Sequence, residues 1–245
     1  RDPDWCCDGD SMKVAEVFGP TVQGEGPSLG RRCSFIRLGR CNLSCSWCDT
    51  PFTWDWRGKN GTRYDPAVEL HDRDVASLVE QVASQGTDMV VITGGEPFVQ
   101  HNATTNLAQA CKHQGWRVEV ETNGTIAPGG ATLYVDRFNI SPKLSNAGMH
   151  ETSRITYPVL RAFASLPPDQ AAFKFVVTNT TELDEVDNIV RHGRINPNQV
   201  WVMPEGRDPA TITTRNTTLT DEVVSRGYNT TTRLHVLVWG DKRGV

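Results

Sequence analysis

The sequence predicts an α/β protein, a partial (β/α) barrel built on a mainly parallel sheet. Three observations carry this. From Lys13 onward, short β-rich runs alternate with helical patterns, the sequence form of repeated β-α units. Four loops of unusual composition each follow a candidate strand, so they fall on one rim, where parallel β/α folds gather their ligands. A chain of 245 residues, 38% hydrophobic and 22% charged, is enough for one substantial core.

In chain order, strands are expected at Val14–Phe18, Ser34–Leu38, Met89–Thr93, Arg117–Glu121, Leu133–Ile140, Ala172–Val177, Gln199–Met203 and Arg233–Val238. Helices are expected at Asp74–Gln85, Asn102–Gln114, Val159–Ala164, Leu183–Arg191 and Ile212–Arg226, the last weakened by the Thr and Asn crowding its first half. Residues 1–12 are read as a polar leader without fixed structure and 13–245 as one domain. The four unusual loops are Cys41–Cys48, Gly94-Gly95-Glu96-Pro97, Thr122-Asn123-Gly124 and Ser141-Pro142-Lys143.

A net charge of −4 argues against a phosphate-gripping nucleic-acid binder and for a small-molecule substrate. No run approaches the roughly 18 apolar residues of a membrane helix, and the start RDPDWCCDGD lacks the apolar segment of an export signal, so the expected setting is the cytoplasm, with no membrane partner. Seven cysteines in such a chain point to metal or catalysis rather than disulfides. Cys33 and Cys111 lie in apolar runs and read as core residues; Cys6 and Cys7 sit in the leader and receive no role.

Cys41, Cys45 and Cys48 form C-x3-C-x2-C on one short loop. Three thiolates can hold a [4Fe–4S] cube and leave one iron open for a ligand, whereas four would close it. The alternative is a structural zinc site, but these are usually four-coordinate, and no second Cys/His pair follows at finger spacing. In Gly94-Gly95-Glu96-Pro97 the glycines allow close backbone approach, and Glu96 offers a carboxylate to an ammonium group. Glu121, Asn123, Ser141, Pro142 and Lys143 supply polar groups at two further strand ends, although Asn-Gly and Ser-Pro also read as ordinary turns.

With Trp47 before the third cysteine and the GGEP turn downstream, the chain resembles the radical S-adenosylmethionine (SAM) superfamily. That resemblance implies that SAM chelates the open iron and that Trp47, Gly95, Glu96, Glu121, Asn123, Ser141, Pro142, Lys143 and the backbone near Met203 and Pro204 bind it. Three further segments, Thr21–Pro27, Phe35–Asn42 with Cys48-Asp49-Thr50, and Arg233–Gly240, make the chain similar to the 7-carboxy-7-deazaguanine synthase family from about Lys13 onward. This implies that a pterin, 6-carboxy-5,6,7,8-tetrahydropterin, becomes 7-carboxy-7-deazaguanine with loss of ammonia, and that SAM is re-formed. It also implies substrate contacts from Gln23, Gly24, Glu25, Arg37, Thr93 and His235, a Mg²⁺ ligand in Thr50, an external low-potential electron donor, a reduced barrel and a homodimer. The residue types suit the roles: amides and carboxylates match an aminopyrimidinone edge, Arg forks a carboxylate, and a hydroxyl serves a hard cation. Without the resemblance, Arg37 reads as a strand residue in an ion pair, Gln23 and Glu25 as loop, and His235 as structural. Rival functions are a glycyl-radical-enzyme activase and a non-catalytic Fe–S or zinc module.

Overall fold

Alternation along the parallel strands organises the molecule. In the computed structural model, which describes residues 11–245, one side of each central strand is apolar and packs on helices: Ile36 and Leu38, Val90 and Ile92, Val118 and Val120, Phe138 and Ile140, Phe173 and Phe175 share one core. The intervening positions, among them Arg37, Thr93, Glu121, Asn139, Lys174 and Met203, line a cavity. Parallel strands buried on both faces usually read as continuous apolar runs. Here the polar alternate positions mark a sheet with helices on one face and a ligand space on the other.

The chain runs β1 (Ser11–Val22), β2 (Arg32–Leu38), α1 (Pro66–Glu69), β3 (His71–Asp74), α2 (Val75–Ser84), β4 (Met89–Gly94), α3 (His101–His113), β5 (Arg117–Thr122) and β6 (Arg137–Ile140). It continues through α4 (Glu151–Arg154), α5 (Tyr157–Ala164), β7 (Ala171–Val177), α6 (Leu183–Gly193), β8 (Val200–Pro204), α7 (Pro209–Ser225), β9 (Asn229–Thr230) and α8 (Leu234–Trp239). The nine-stranded sheet has the order β3-β1-β2-β4-β5-β6-β7-β8-β9. β1 is antiparallel to β2 and β3, and every pairing from β2 to β9 is parallel. β2 pairs with β4, β3 having left to the far edge, and from β4 to β9 neighbours in the sheet follow one another in sequence, the winding of a barrel; β3 and β9 remain as edges, so the barrel is partial.

Several expectations change. Ser11 and Met12 open β1 rather than closing the leader, and Met12 is fully buried; Cys6 and Cys7 lie outside the described residues. The strand expected at Leu133–Ile140 shortens to β6, because Gly129–Leu133 forms a 3-10 turn that leaves Leu133 exposed. α7 begins earlier than expected, capped by Asp208, whose carboxylate accepts from the Thr211 N–H at 2.8 Å, with Pro209 next. Its threonines are accommodated as Thr213, Thr217, Thr218 and Thr220 donate to the carbonyls four residues back.

The strand expected at Arg233–Val238 is the helix α8. The short apolar run is ambiguous by periodicity. Beside β8 the sheet is completed by the two-residue β9, after which the Leu234 N–H bonds the Gly24 carbonyl at 2.8 Å and the chain coils, burying Val236 and leaving Leu237, Val238 and Trp239 exposed. No helix among the described residues is long and apolar enough to cross a membrane.

Candidate active site

The cavity, of about 210 Å³, lies over the carboxyl ends of the strands and is lined on one side by Cys41, Cys45 and Cys48. The loop leaving β2 carries all three as free thiols in a small apolar setting with Leu43, Trp47, Ala147 and Met149. Gly95 explains how the GGEP turn meets this loop: a Cβ there would lie 2.3 Å from the Arg40 carbonyl oxygen and 2.7 Å from Cys41 Cβ. Only glycine permits that approach.

The donor set fits a [4Fe–4S] cluster. Burial pushes the Cys41 thiol up to about 12 and raises that of Cys45, so both are held protonated until a metal centre displaces the proton. The Leu43 N–H points at Cys41 Sγ (3.4 Å) and the Trp54 indole N–H at Cys48 Sγ (3.3 Å), hydrogen bonds that suit cluster sulfur. Among the described residues no three His, Cys, Asp or Glu side chains are gathered closely enough to chelate a single ion. Three thiolates that each take a different corner of a cube need not be. SAM also fits the neighbouring groups: Lys143 Nζ bonds Ser141 Oγ at 2.9 Å and lies 5.5 Å from the Trp47 ring centroid, and Asn123, Gly95 and Met203 line the same wall.

Glu96 departs from its expected role. It is fully buried and does not line the cavity. Its Oε1 accepts from the Phe98 N–H (3.0 Å) and the Thr122 hydroxyl (2.9 Å), and its Oε2 from the Asn123 N–H (2.7 Å), so the carboxylate ties the β4 loop to the end of β5 instead of facing an ammonium group. Burial raises its pKa to about 6 against these hydrogen bonds. Pro142 and Pro204 are likewise buried outside the lining.

The other wall is polar. Register places Arg37 beside Thr93 and Glu121 beside Asn139. Glu121 joins two residues expected on the substrate side, accepting from Gln23 Nε2 at 3.1 Å and from Thr93 Oγ1 at 2.8 Å. Arg37 Nε donates to Glu16 at 2.7 Å; among the described residues its terminal nitrogens make no hydrogen bond. Glu25 bonds Lys174 and, at 3.0 Å, Arg233 Nε; despite burial these cations hold its carboxyl well below the usual range. His235, at the start of α8, packs on Gly24, where a Cβ would lie 2.0 Å from the imidazole Nδ1. Burial lowers the His235 pKa, favouring neutral imidazole. Thr50 lines the cavity with its hydroxyl 3.7 Å from Cys48 Sγ.

Several polar cavity residues received no role in the sequence reading, among them Asp49, Asn139, Lys174, Glu205 and Arg233. A signal existed for Asn139 and Lys174, polar residues inside the apolar runs RFNI and AAFKFVV.

A partial β/α barrel with three thiols on the loop after its first parallel strand, β2, defines a radical SAM enzyme, and residues 35–147 match the Radical SAM superfamily. Among similar proteins, the 7-carboxy-7-deazaguanine synthase of Pyrobaculum aerophilum is 35% identical, with 95% of this chain and 97% of the relative covered. That of Rhodopirellula baltica is 31% identical over 96% and 89%. The crystal structure of QueE from Escherichia coli shares the fold, with a TM-score of 0.69 at 20% identity over 92% of this chain and 95% of that one. The chain belongs to the 7-carboxy-7-deazaguanine synthase family.

Proposed function

We propose that this enzyme converts 6-carboxy-5,6,7,8-tetrahydropterin to 7-carboxy-7-deazaguanine with loss of ammonia, a step of 7-deazapurine biosynthesis. The observation that carries the reading is the division of one cavity: the three thiols and the Ser141–Lys143 pair on one side, and on the other a polar wall of Gln23, Thr93, Glu121 and Arg37. Cys41, Cys45 and Cys48 would hold the cluster, which with SAM bound would supply the radical chemistry that begins with loss of a substrate hydrogen atom. Everything else falls to the chain.

Gln23, Thr93 and Glu121 form a hydrogen-bonded triad whose remaining donors and acceptors suit an aminopyrimidinone edge. Arg37, oriented through Nε by Glu16, offers its terminal nitrogens to the substrate carboxylate. Lys143 and Ser141 face the SAM carboxylate, and the Gly95 backbone meets its amino group. Thr50, whose hydroxyl lines the cavity, would hold a Mg²⁺ ion that offers positive charge to the substrate. An external reductant and a homodimer complete the proposal; the apolar side chains exposed on α8 are available to a second copy.

The test is anaerobic reconstitution with iron and sulfide, followed by mass spectrometry of the product from the carboxylated tetrahydropterin. Deazapurine formation supports the assignment. SAM cleavage without turnover of the pterin overturns it and redirects the search to another small substrate. The polar wall does not favour an activase, whose glycyl partner segment presents no aminopyrimidinone or carboxylate to read.

A further inference from the structure

Arg233 fastens three separate loops around the cavity. It is 8% exposed, and each of its three nitrogens reaches a different segment. Nε donates to Glu25 Oε1 at 3.0 Å, Nη1 to the Gly206 carbonyl at 2.7 Å, and Nη2 to Asp49. Glu25 lies in the loop after β1, Gly206 follows β8, and Asp49 follows the cluster cysteine Cys48. Only a planar guanidinium can direct fixed donors to three such points at once; an ammonium is a single point charge.

The segment around Arg233 grips the loop after β1 at other points too. The Leu234 N–H bonds the Gly24 carbonyl at 2.8 Å, and the Gly26 N–H bonds Thr231 Oγ1 at 2.9 Å. Glu25 also keeps Lys174. What Arg233 alone adds is the bond to Asp49, beside the cluster loop's last cysteine. The substrate-side loop is therefore anchored by several contacts; the end of the cluster loop is tied to it through the Arg233–Asp49 pair, while Arg207, in the segment after β8, donates to the Cys48 carbonyl.

We propose that Arg233 is a positioning residue that holds the loop carrying Gln23, Gly24 and Glu25 in fixed register with the cluster loop, so that SAM cleavage stays coupled to hydrogen abstraction from the substrate. The inference rests on the function proposed above. Radical transfer demands a near-attack geometry, and displacement by about 1 Å can cost on the order of 100-fold. Loosening this link should leave both partners bound and misaligned.

Arg233→Gln, Arg233→Lys and Asp49→Asn test it, each reconstituted anaerobically. Iron content and SAM affinity should stay within about twofold of wild type, while 5′-deoxyadenosine released per product rises at least about tenfold in Arg233→Gln. Lysine should not rescue, because it keeps the charge and loses the fork. Hydrogen–deuterium exchange of residues 46–50 should quicken more than that of 23–26. Asp49→Asn should reproduce part of the uncoupling, and the double variant should be no worse than Arg233→Gln alone. Wild-type coupling in Arg233→Gln, full rescue by lysine, or activity lost only in proportion to cluster loading would each overturn the proposal. If Arg233→Gln fails to fold, Asp49→Asn decides, since it weakens one arm. Failure of the wild-type chain to turn over the pterin overturns the proposed function instead, and the exchange comparison still decides the role of Arg233.

Discussion

The Asn123 N–H donates to Glu96 Oε2 at 2.7 Å, locking the loop after β4 to the loop after β5. With Phe98 and Thr122 as further donors, both oxygens act as acceptors. Glu96→Gln turns an amide NH₂ toward one of these donors and should cost about 1–3 kcal/mol.

The same carboxyl makes that cost depend on pH. Burial raises its pKa from 4.5 to about 6, so folding favours the protonated form. The stability this contributes is full below 4.5 and is lost as pH rises through about 6, a loss of about 2 kcal/mol that Gln cannot show. Urea denaturation of both proteins across this window measures it. A wild-type-minus-variant difference that stays flat with pH would remove Glu96 as the titrating group.

Cys41→Ala, Cys45→Ala and Cys48→Ala should each abolish SAM cleavage and lose iron and labile sulfide on reconstitution, since each thiol would take a different iron. Cys111, on α3, packs in the helix-side core and Cys33 clusters with Phe35, Met89 and Val91, both cysteines fully buried, so their replacement by Ser should cost stability and spare the cluster. Iron analysis separates the two groups. A Cys45→Ala protein with full 5′-deoxyadenosine formation would sink the cluster assignment.

Arg37 shares Glu16 with Arg243, whose Nε bonds the other carboxylate oxygen at 2.9 Å while its guanidinium stacks 3.5 Å from the Phe52 ring centroid. Arg37→Ala should remove the substrate's carboxylate partner and weaken pterin binding roughly 10- to 150-fold, leaving uncoupled SAM cleavage. Arg243→Ala should be milder, because the Arg37–Glu16 bond survives. Equal losses in steady-state KM would mean that Arg37 acts through the C-terminal segment and not on substrate.

The sequence was most legible where chemistry leaves a local signature. Cys41, Cys45 and Cys48 sit within eight residues of one another in the sequence, and the GGEP turn and the strands bearing both were readable from pattern alone. What stayed hidden depended on partners distant in the chain. Glu96 looks available until Thr122 and Asn123 fold over it. Arg233 finds Asp49 across 184 residues, and no local rule announces that. The run around His235 was misjudged because so short an apolar run is ambiguous by periodicity, and only the fold shows the Leu234 N–H taken up by the distant Gly24 carbonyl as the chain coils.

Thr50→Ala tests the magnesium proposal. Thr50 is half-buried and lines the cavity with its hydroxyl 3.7 Å from Cys48 Sγ. Turnover of the variant should fall and respond weakly to added Mg²⁺, while SAM affinity and iron content hold. An unchanged Mg²⁺ dependence would move the cation elsewhere.

The last prediction concerns which hydrogen is taken. In the proposed placement Arg37, near the end of β2 and just before the cluster loop, pairs with the substrate carboxylate, and the same cavity is lined by Cys41, Cys45 and Cys48. Pairing with Arg37 would then bring the carbon that bears the carboxylate, C6 of the pterin, to the strand that leads into the cluster loop, and a radical there is stabilised and can begin ring contraction. Substrate deuterated at C6 should pass deuterium into 5′-deoxyadenosine and, because SAM is re-formed, into recovered SAM. Product should then exceed SAM consumed. In Arg37→Ala the carboxylate loses its anchor, so deuterium transfer should fall while unlabelled 5′-deoxyadenosine persists. Product formed from the deuterated substrate with no deuterium in either pool would place abstraction at another carbon, and with it would fall the role given to Arg37.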